Sequence, residues 1–121
     1  MINSSTSDTT KDFFEGANIL TASAGKQGNT SSITIPSGVT EGILFVCGSS
    51  WKTQPDPYAI TGNGIISKTS LSNGGGPVND STTKVNYEID YVTLSPGNSI
   101  TLEATGGAGN SYPCAYMILY Y

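Results

Sequence analysis

The sequence predicts a single all-β sandwich, a jelly roll first and an immunoglobulin-like arrangement second, preceded by an extended N-terminal arm. Three observations lead there. Short runs of β-branched and aromatic residues alternate with polar ones over much of the 121-residue chain. Gly, Pro and Asn clusters break those runs at intervals found in sandwiches and small barrels. No stretch of about ten residues repeats with a helical period. Ser, Thr, Asn and Gly, which suit strand surfaces and turns, stand where a helical protein would carry Ala, Leu, Glu and Lys.

Residues 1–17 form the expected arm. Met1 to Lys11 is almost entirely Ser, Thr, Asp and Asn, too polar to bury a core of its own. Asp12-Phe13-Phe14-Glu15 adds a short aromatic anchor. Fully extended at about 3.3–3.6 Å per residue, the arm reaches roughly 55–60 Å. It lacks the basic region and apolar core of a signal peptide.

The sandwich is expected over residues 18–121. Ser31 to Ile35 alternates, with Ile33 and Ile35 on one face, and Pro36-Ser37-Gly38 ends it. Gly42 to Ser50 is a strand apolar on both faces through Ile43, Leu44, Phe45, Val46 and Cys47. A loop from Trp51 to Tyr58 holds two prolines, and Tyr58 to Thr61 is a short strand. Gly62-Asn63-Gly64 turns the chain into Ile65 to Leu71, and Asn73-Gly74-Gly75-Gly76-Pro77 reads as a flexible loop. Thr83 to Leu94 is the clearest strand. Val85, Tyr87, Ile89 and Tyr91 share one face, and Asn86, Glu88 and Asp90 share the other, expected to be the solvated side. Ser95-Pro96-Gly97-Asn98 has the residue order of a type II turn. Asn98 to Thr105 alternates again with Ile100, Leu102 and Ala104 inward, Gly106 to Asn110 turns the chain, and Pro113 to Tyr121 is a closing apolar strand. That makes seven or eight strands.

Composition narrows the function. Charged residues are 12% and the net charge is -4. The five basic residues are Lys11, Lys26, Lys52, Lys68 and Lys84, spread without a cluster. Nucleic acid and anionic membrane surfaces both want a concentrated positive patch, so neither is an expected partner. No apolar run approaches the roughly 20 residues that span a bilayer as a helix. With no His, no Ser-His-Asp or Cys-His arrangement is available. The expectation is no catalytic residue, no metal site, no cofactor and no enzyme.

Five features remain. Cys47 and Cys114 lie in apolar runs and read as buried reduced thiols, a disulfide between neighbouring strands staying open. Glu88 and Asp90 are the best carboxylate pair, two apart on a strand. A glycosidase pair has such residue types, but a solvated strand face explains them more simply. Asp56, Asn79 and Asp80 lie in expected loops but form no dense calcium-ligand pattern. The loop containing Trp51, Gln54, Asp56 and Tyr58 is the candidate exposed contact. Capping of the core by Trp51, a protein contact and a glycan contact are all open there. In Cys114 to Tyr121, as in Gly42 to Ser50, both strand faces are apolar. An outer face covered by the arm or another subunit would account for that. Phe13, Phe14, Met117, Leu119 and Tyr121 are therefore the candidate interface.

Three stretches carry a resemblance. Ile33-Thr34-Ile35-Pro36-Ser37-Gly38-Val39-Thr40, followed by Gly42 to Val46, resembles β-structured domains of phage virion proteins. So do Leu94 to Leu102 and the ending Ala115 to Tyr121. The resemblance covers about residues 30–121 and is one of texture rather than motif. It implies a capsid decoration (cement) protein, or a head-fibre type, on the virion surface. Its partners would be the major capsid protein and its own copies in a homotrimer. The alternative it leaves is a receptor- or glycan-binding module of a tail fibre or adhesin.

Overall fold

A computed structural model describes residues 16–51, 56–77, 82–107 and 112–121. The described residues are 69% strand with no helix, arranged as two antiparallel sheets consistent with a β-sandwich. The strands are β1 (Asn18–Ala24), β2 (Thr30–Thr34), β3 (Glu41–Trp51), β4 (Tyr58–Thr61), β5 (Ile65–Pro77), β6 (Thr83–Leu94), β7 (Ser99–Ala104) and β8 (Cys114–Tyr120). A five-stranded sheet runs β1-β8-β3-β6-β5 and a three-stranded sheet runs β2-β7-β4.

Alternation places the core between the sheets. Leu44 and Val46 of β3, Val92 and Leu94 of β6, and Tyr116 and Ile118 of β8 meet Ile100, Leu102 and Ala104 of β7 in one buried cluster. Ile35 and Val39 close it at the turn after β2. The expected type II turn forms: the Asn98 amide donates to the Ser95 carbonyl at 3.2 Å, and Gly97 supplies φ 82. A side chain at that φ would be strained, which is why Gly follows Pro here.

The strand from Thr83 to Leu94 has the bounds read from its alternation. Three expectations need correction. The first strand, β1, has no counterpart among the strands read from sequence. Its inward residues beyond Leu20 are only Ala22 and Ala24, small enough to leave a weak apolar signal. The supposed flexible loop Asn73–Pro77 is the continuation of β5, paired Gly74↔Tyr87, Gly75↔Asn86 and Gly76↔Val85. Glycine weakens a strand's own preference, but β6 supplies a partner for its backbone. The third correction concerns β6, whose Glu88–Asp90 face is the inward one.

The sheets are unequal in width, and this sets the chemistry of the edge strand. Along β5 every residue is exposed or half-buried, so this edge projects beyond the cover of the opposite sheet. Inward positions there meet water as well as core. Residues 1–15, with Phe13 and Phe14, residues 52–55, with Gln54, and residues 78–81, with Asn79 and Asp80, lie outside the described residues.

Candidate functional site

Two surfaces stand out, one on each face of the five-stranded sheet. The outward face is built by register. Ile19, Leu119, Ile43 and Tyr91 form one row across four strands. Thr21, Met117, Phe45 and Ile89 form the next, and Ser23, Ala115, Cys47 and Tyr87 the third. Val85 and Trp51 extend it toward the far end of β3 and β6. Ile19, Val85, Tyr87 and Tyr91 are exposed, and Ile43, Phe45, Met117, Leu119 and Ile89 are half-buried by one another. At about 4.8 Å between strands and 3.4 Å per residue, the area spans roughly 15 by 20 Å between backbone centres. Monomeric proteins rarely expose a larger continuous apolar patch, and such patches mark interaction sites.

The candidate interface residues divide accordingly. Met117 and Leu119 lie in this face and Tyr121 is exposed at its edge. Cys47 also lies here, exposed, whereas Cys114 is buried on the other side of the sheet. Both thiols are free, and they occupy opposite faces, which forbids a bridge. The expectation of two buried thiols therefore holds only for Cys114, and burial pushes that thiol's pKa up.

The loop expected to present Trp51 and Tyr58 together does not do so. Trp51 ends β3 on the outward face, exposed and away from the core. Asp56 is exposed, and its carbonyl accepts a hydrogen bond from Thr105 Oγ1 at 2.9 Å. Tyr58 is half-buried at the start of β4 and turned toward the inside of the five-stranded sheet.

There it meets the second surface, a polar groove. The Tyr58 hydroxyl donates to Glu88 Oε1 at 2.8 Å, and Lys68 Nζ of β5 donates to Glu88 Oε2 at 3.2 Å. Asp90, two residues along β6, is only 3% exposed. Its carboxyl is hydrogen-bonded to that of Glu88, while its Oδ2 has no hydrogen-bond partner. Burial first, and then the Glu88 carboxylate, push the Asp90 pKa up to about 6. Burial acts upward on Glu88 too, but hydrogen bonds from Asp90, Tyr58 and Lys68 outweigh it and hold Glu88 below its ordinary value. Burial and the Glu88 carboxylate raise the Tyr58 hydroxyl, so it stays a proton donor.

The pair thus shares one proton near pH 6 and below. Its two carboxyls stand close enough on one strand to shift each other's titration, whereas those of a glycosidase flank a sugar bond from at least about 5 Å apart. The solvated-face expectation for Glu88 and Asp90 is overturned by this burial. A signal for it was present: Val92 and Leu94, both fully apolar, share their parity with Glu88 and Asp90.

Asn73 and Gly75 of β5 and Lys84, Asn86 and Asp90 of β6 help to line a groove of about 690 Å³ that lies over the paired strands. Gly75 keeps it open, since a Cβ there would run into Asn86 Oδ1; Gly74 lies opposite Tyr87 on the outward face. Comparison of the chain with family models, curated proteins and solved structures gives no match.

Proposed function

We propose that the chain is a structural virion protein that decorates a phage head, associating with its own copies through the outward face of the five-stranded sheet. The observation carrying this reading is the row structure of that face: four adjacent strands all turn apolar side chains away from the core. Strands that build a core inward and an apolar face outward suit a subunit of a larger assembly. We take the association as a homotrimer and the N-terminal segment as the contact to neighbouring major capsid protein subunits. Decoration of this kind is non-covalent. It stabilises the lattice because the protein binds the assembled state better than the dissociated one.

We also propose a jelly roll for the topology. Its eight strands, numbered along the chain, lie 1-8-3-6 and 2-7-4-5. The orders β1-β8-β3-β6 and β2-β7-β4 support this, with β5 paired to β6 in place of β4. The competing reading, glycan recognition by a Trp51–Tyr58 platform, loses support because those rings lie on different sheets. Electron microscopy of particles carrying the labelled chain tests the proposal. A regular array over the head is expected, and density confined to the tail would overturn it.

A further inference from the structure

We propose that Phe13 and Phe14 fold back onto their own chain and dock in a hollow at one end of the outward face, over β8, β3 and β6. Such docking needs no second copy and so stands apart from the function proposed above. The hollow has a volume of about 520 Å³, and Ile43 and Phe45 of β3, Tyr91 of β6, Leu119 of β8 and Tyr121 are among its lining residues. An apolar cavity of about 150 Å³ holds one benzene ring, so an aromatic side chain enters with room to spare. Ile43, Phe45 and Leu119 are only half-buried, and a docked ring removes their remaining apolar surface from water.

The place where the chain enters the sheet names the occupant. Asn18 pairs with Tyr120 and Ile19 with Leu119, so the segment before β1 joins the sheet at the end that carries the hollow. Leu119 pairs in turn with Ile43, and Ile43 with Tyr91. The strand order puts β3 two strand spacings from β1, about 10 Å. Phe14 precedes Asn18 by four residues, an extended reach of roughly 13–14 Å. Gly16, exposed and in a turn, is where a reversal of the chain costs least. Phe13 and Phe14 are the only aromatic residues in 1–17.

Tether length decides between this segment and a second copy. A link of a few residues holds the aromatic pair at about millimolar effective concentration. A contact too weak to join separate molecules therefore forms within one. Charge sets which side chains face inward. The hollow has no basic lining residue, and its one carboxylate, Glu41, already accepts the Tyr91 hydroxyl at 2.8 Å. Asp12 and Glu15 thus gain nothing by entering and stay in water, while the rings between them turn to the sheet. Only the base of the segment is held, which leaves Met1 to Lys11 for the capsid contact proposed above.

The test is a nuclear Overhauser measurement on the full chain. Isotope filtering on a mixture of labelled and unlabelled copies separates contacts within a chain from contacts between chains. Ring protons of Phe13 or Phe14 should show cross-peaks to the methyl protons of Ile43 and Leu119 within one chain. The double variant Phe13→Ser/Phe14→Ser should lose them and shift the amides of Ile43, Tyr91 and Leu119. The amide of Val85, at the other end of the face, and the strand-rich circular dichroism should stay as in the wild type. Should the double variant not fold, the wild-type cross-peaks decide alone. Three outcomes each overturn the proposal: neither ring reaches these methyls, the cross-peaks arise only between chains, or Trp51 of another copy contacts them instead. Loss of association with the same-chain cross-peaks retained would strike the function proposed above and leave this docking standing.

Discussion

Strand β6 carries two chemistries on its two sides. Its outward side presents Val85, Tyr87, Ile89 and Tyr91, apolar or aromatic and largely exposed. Its inward side begins with Lys84, Asn86 and Glu88, passes through buried Asp90, and only then reaches Val92 and Leu94 in the core. In an isolated sandwich the first half would be arranged the other way, apolar in and polar out. The difference follows from the unequal widths of the sheets. Toward β5 the inward face lies beyond the core and is wet, so polar groups there find partners and solvent. The outward face has no such excuse, and its apolar rows are what the proposed contact between copies would cover.

The largest expected effect separates the two sides of β3. Phe45→Glu places a charge in the middle of the outward rows. It should abolish self-association, weakening it at least ~100-fold, because an unpaired charge in an apolar interface costs several kcal/mol. Its unfolding midpoint as a monomer should hardly move. Leu44→Ala, one residue away and pointing inward with no exposure, should do the reverse. It should destabilise the fold by about 2–5 kcal/mol, with the association constant of the folded fraction retained. Equal effects of the two variants on both readouts would break the comparison.

The groove gives the next effect, and its sign changes with pH. An Asp90 pKa near 6 in the folded chain, above its ordinary 3.8, means that the native state holds its proton more tightly than the unfolded state. Stability is then fully present below about pH 4 and falls as pH rises through about 6, by on the order of 2–3 kcal/mol. Glu88, held low, acts oppositely: its contribution is present above its ordinary value and is lost as pH falls. Together they place the maximum on the acid side of neutral. Asp90→Asn removes the alkaline fall, so it should be more stable than wild type at neutral pH by ~1–3 kcal/mol, as urea denaturation at each pH will read. An unchanged slope between pH 4 and pH 6 in that variant would show that another group titrates.

The smallest effect is at Lys68. Its ion pair with Glu88 is 3.2 Å long, but the lysine is 42% exposed. Lys68→Met should therefore cost under about 1 kcal/mol, most of it lost in high salt. A larger, salt-insensitive loss would mean that β5 is anchored through this lysine rather than by its pairing with β6.

Much of the fold was legible because alternation is a local property. Thr83–Leu94, Tyr58–Thr61 and the Ser95–Asn98 turn stand where period and turn chemistry put them. Alternation says which residues share a face, but the identity of the inner face depends on what lies opposite. On β6 both parities contain apolar residues, so composition favoured Tyr87 and Ile89 as inward and sent Glu88 and Asp90 to solvent. Cys47 was misplaced for the same reason, since β3 is apolar on both sides. Asn73–Pro77 reads as a loop in the sequence because three glycines have no strand preference of their own. Pairing to β6, a contact with residues seven to fifteen positions away, overrides that. Neither the groove nor its proton-sharing pair has a sequence motif; both arise from the mismatch in sheet width.

The outward face as an interface between copies is tested most directly by sedimentation equilibrium of the full wild-type chain and Phe45→Glu at neutral pH. The account predicts a concentration-dependent trimer for the wild type and a monomer for the variant, with the same strand-rich circular dichroism for both. A wild type that stays monomeric at the highest attainable concentration, or a variant that associates as the wild type does, would contradict it.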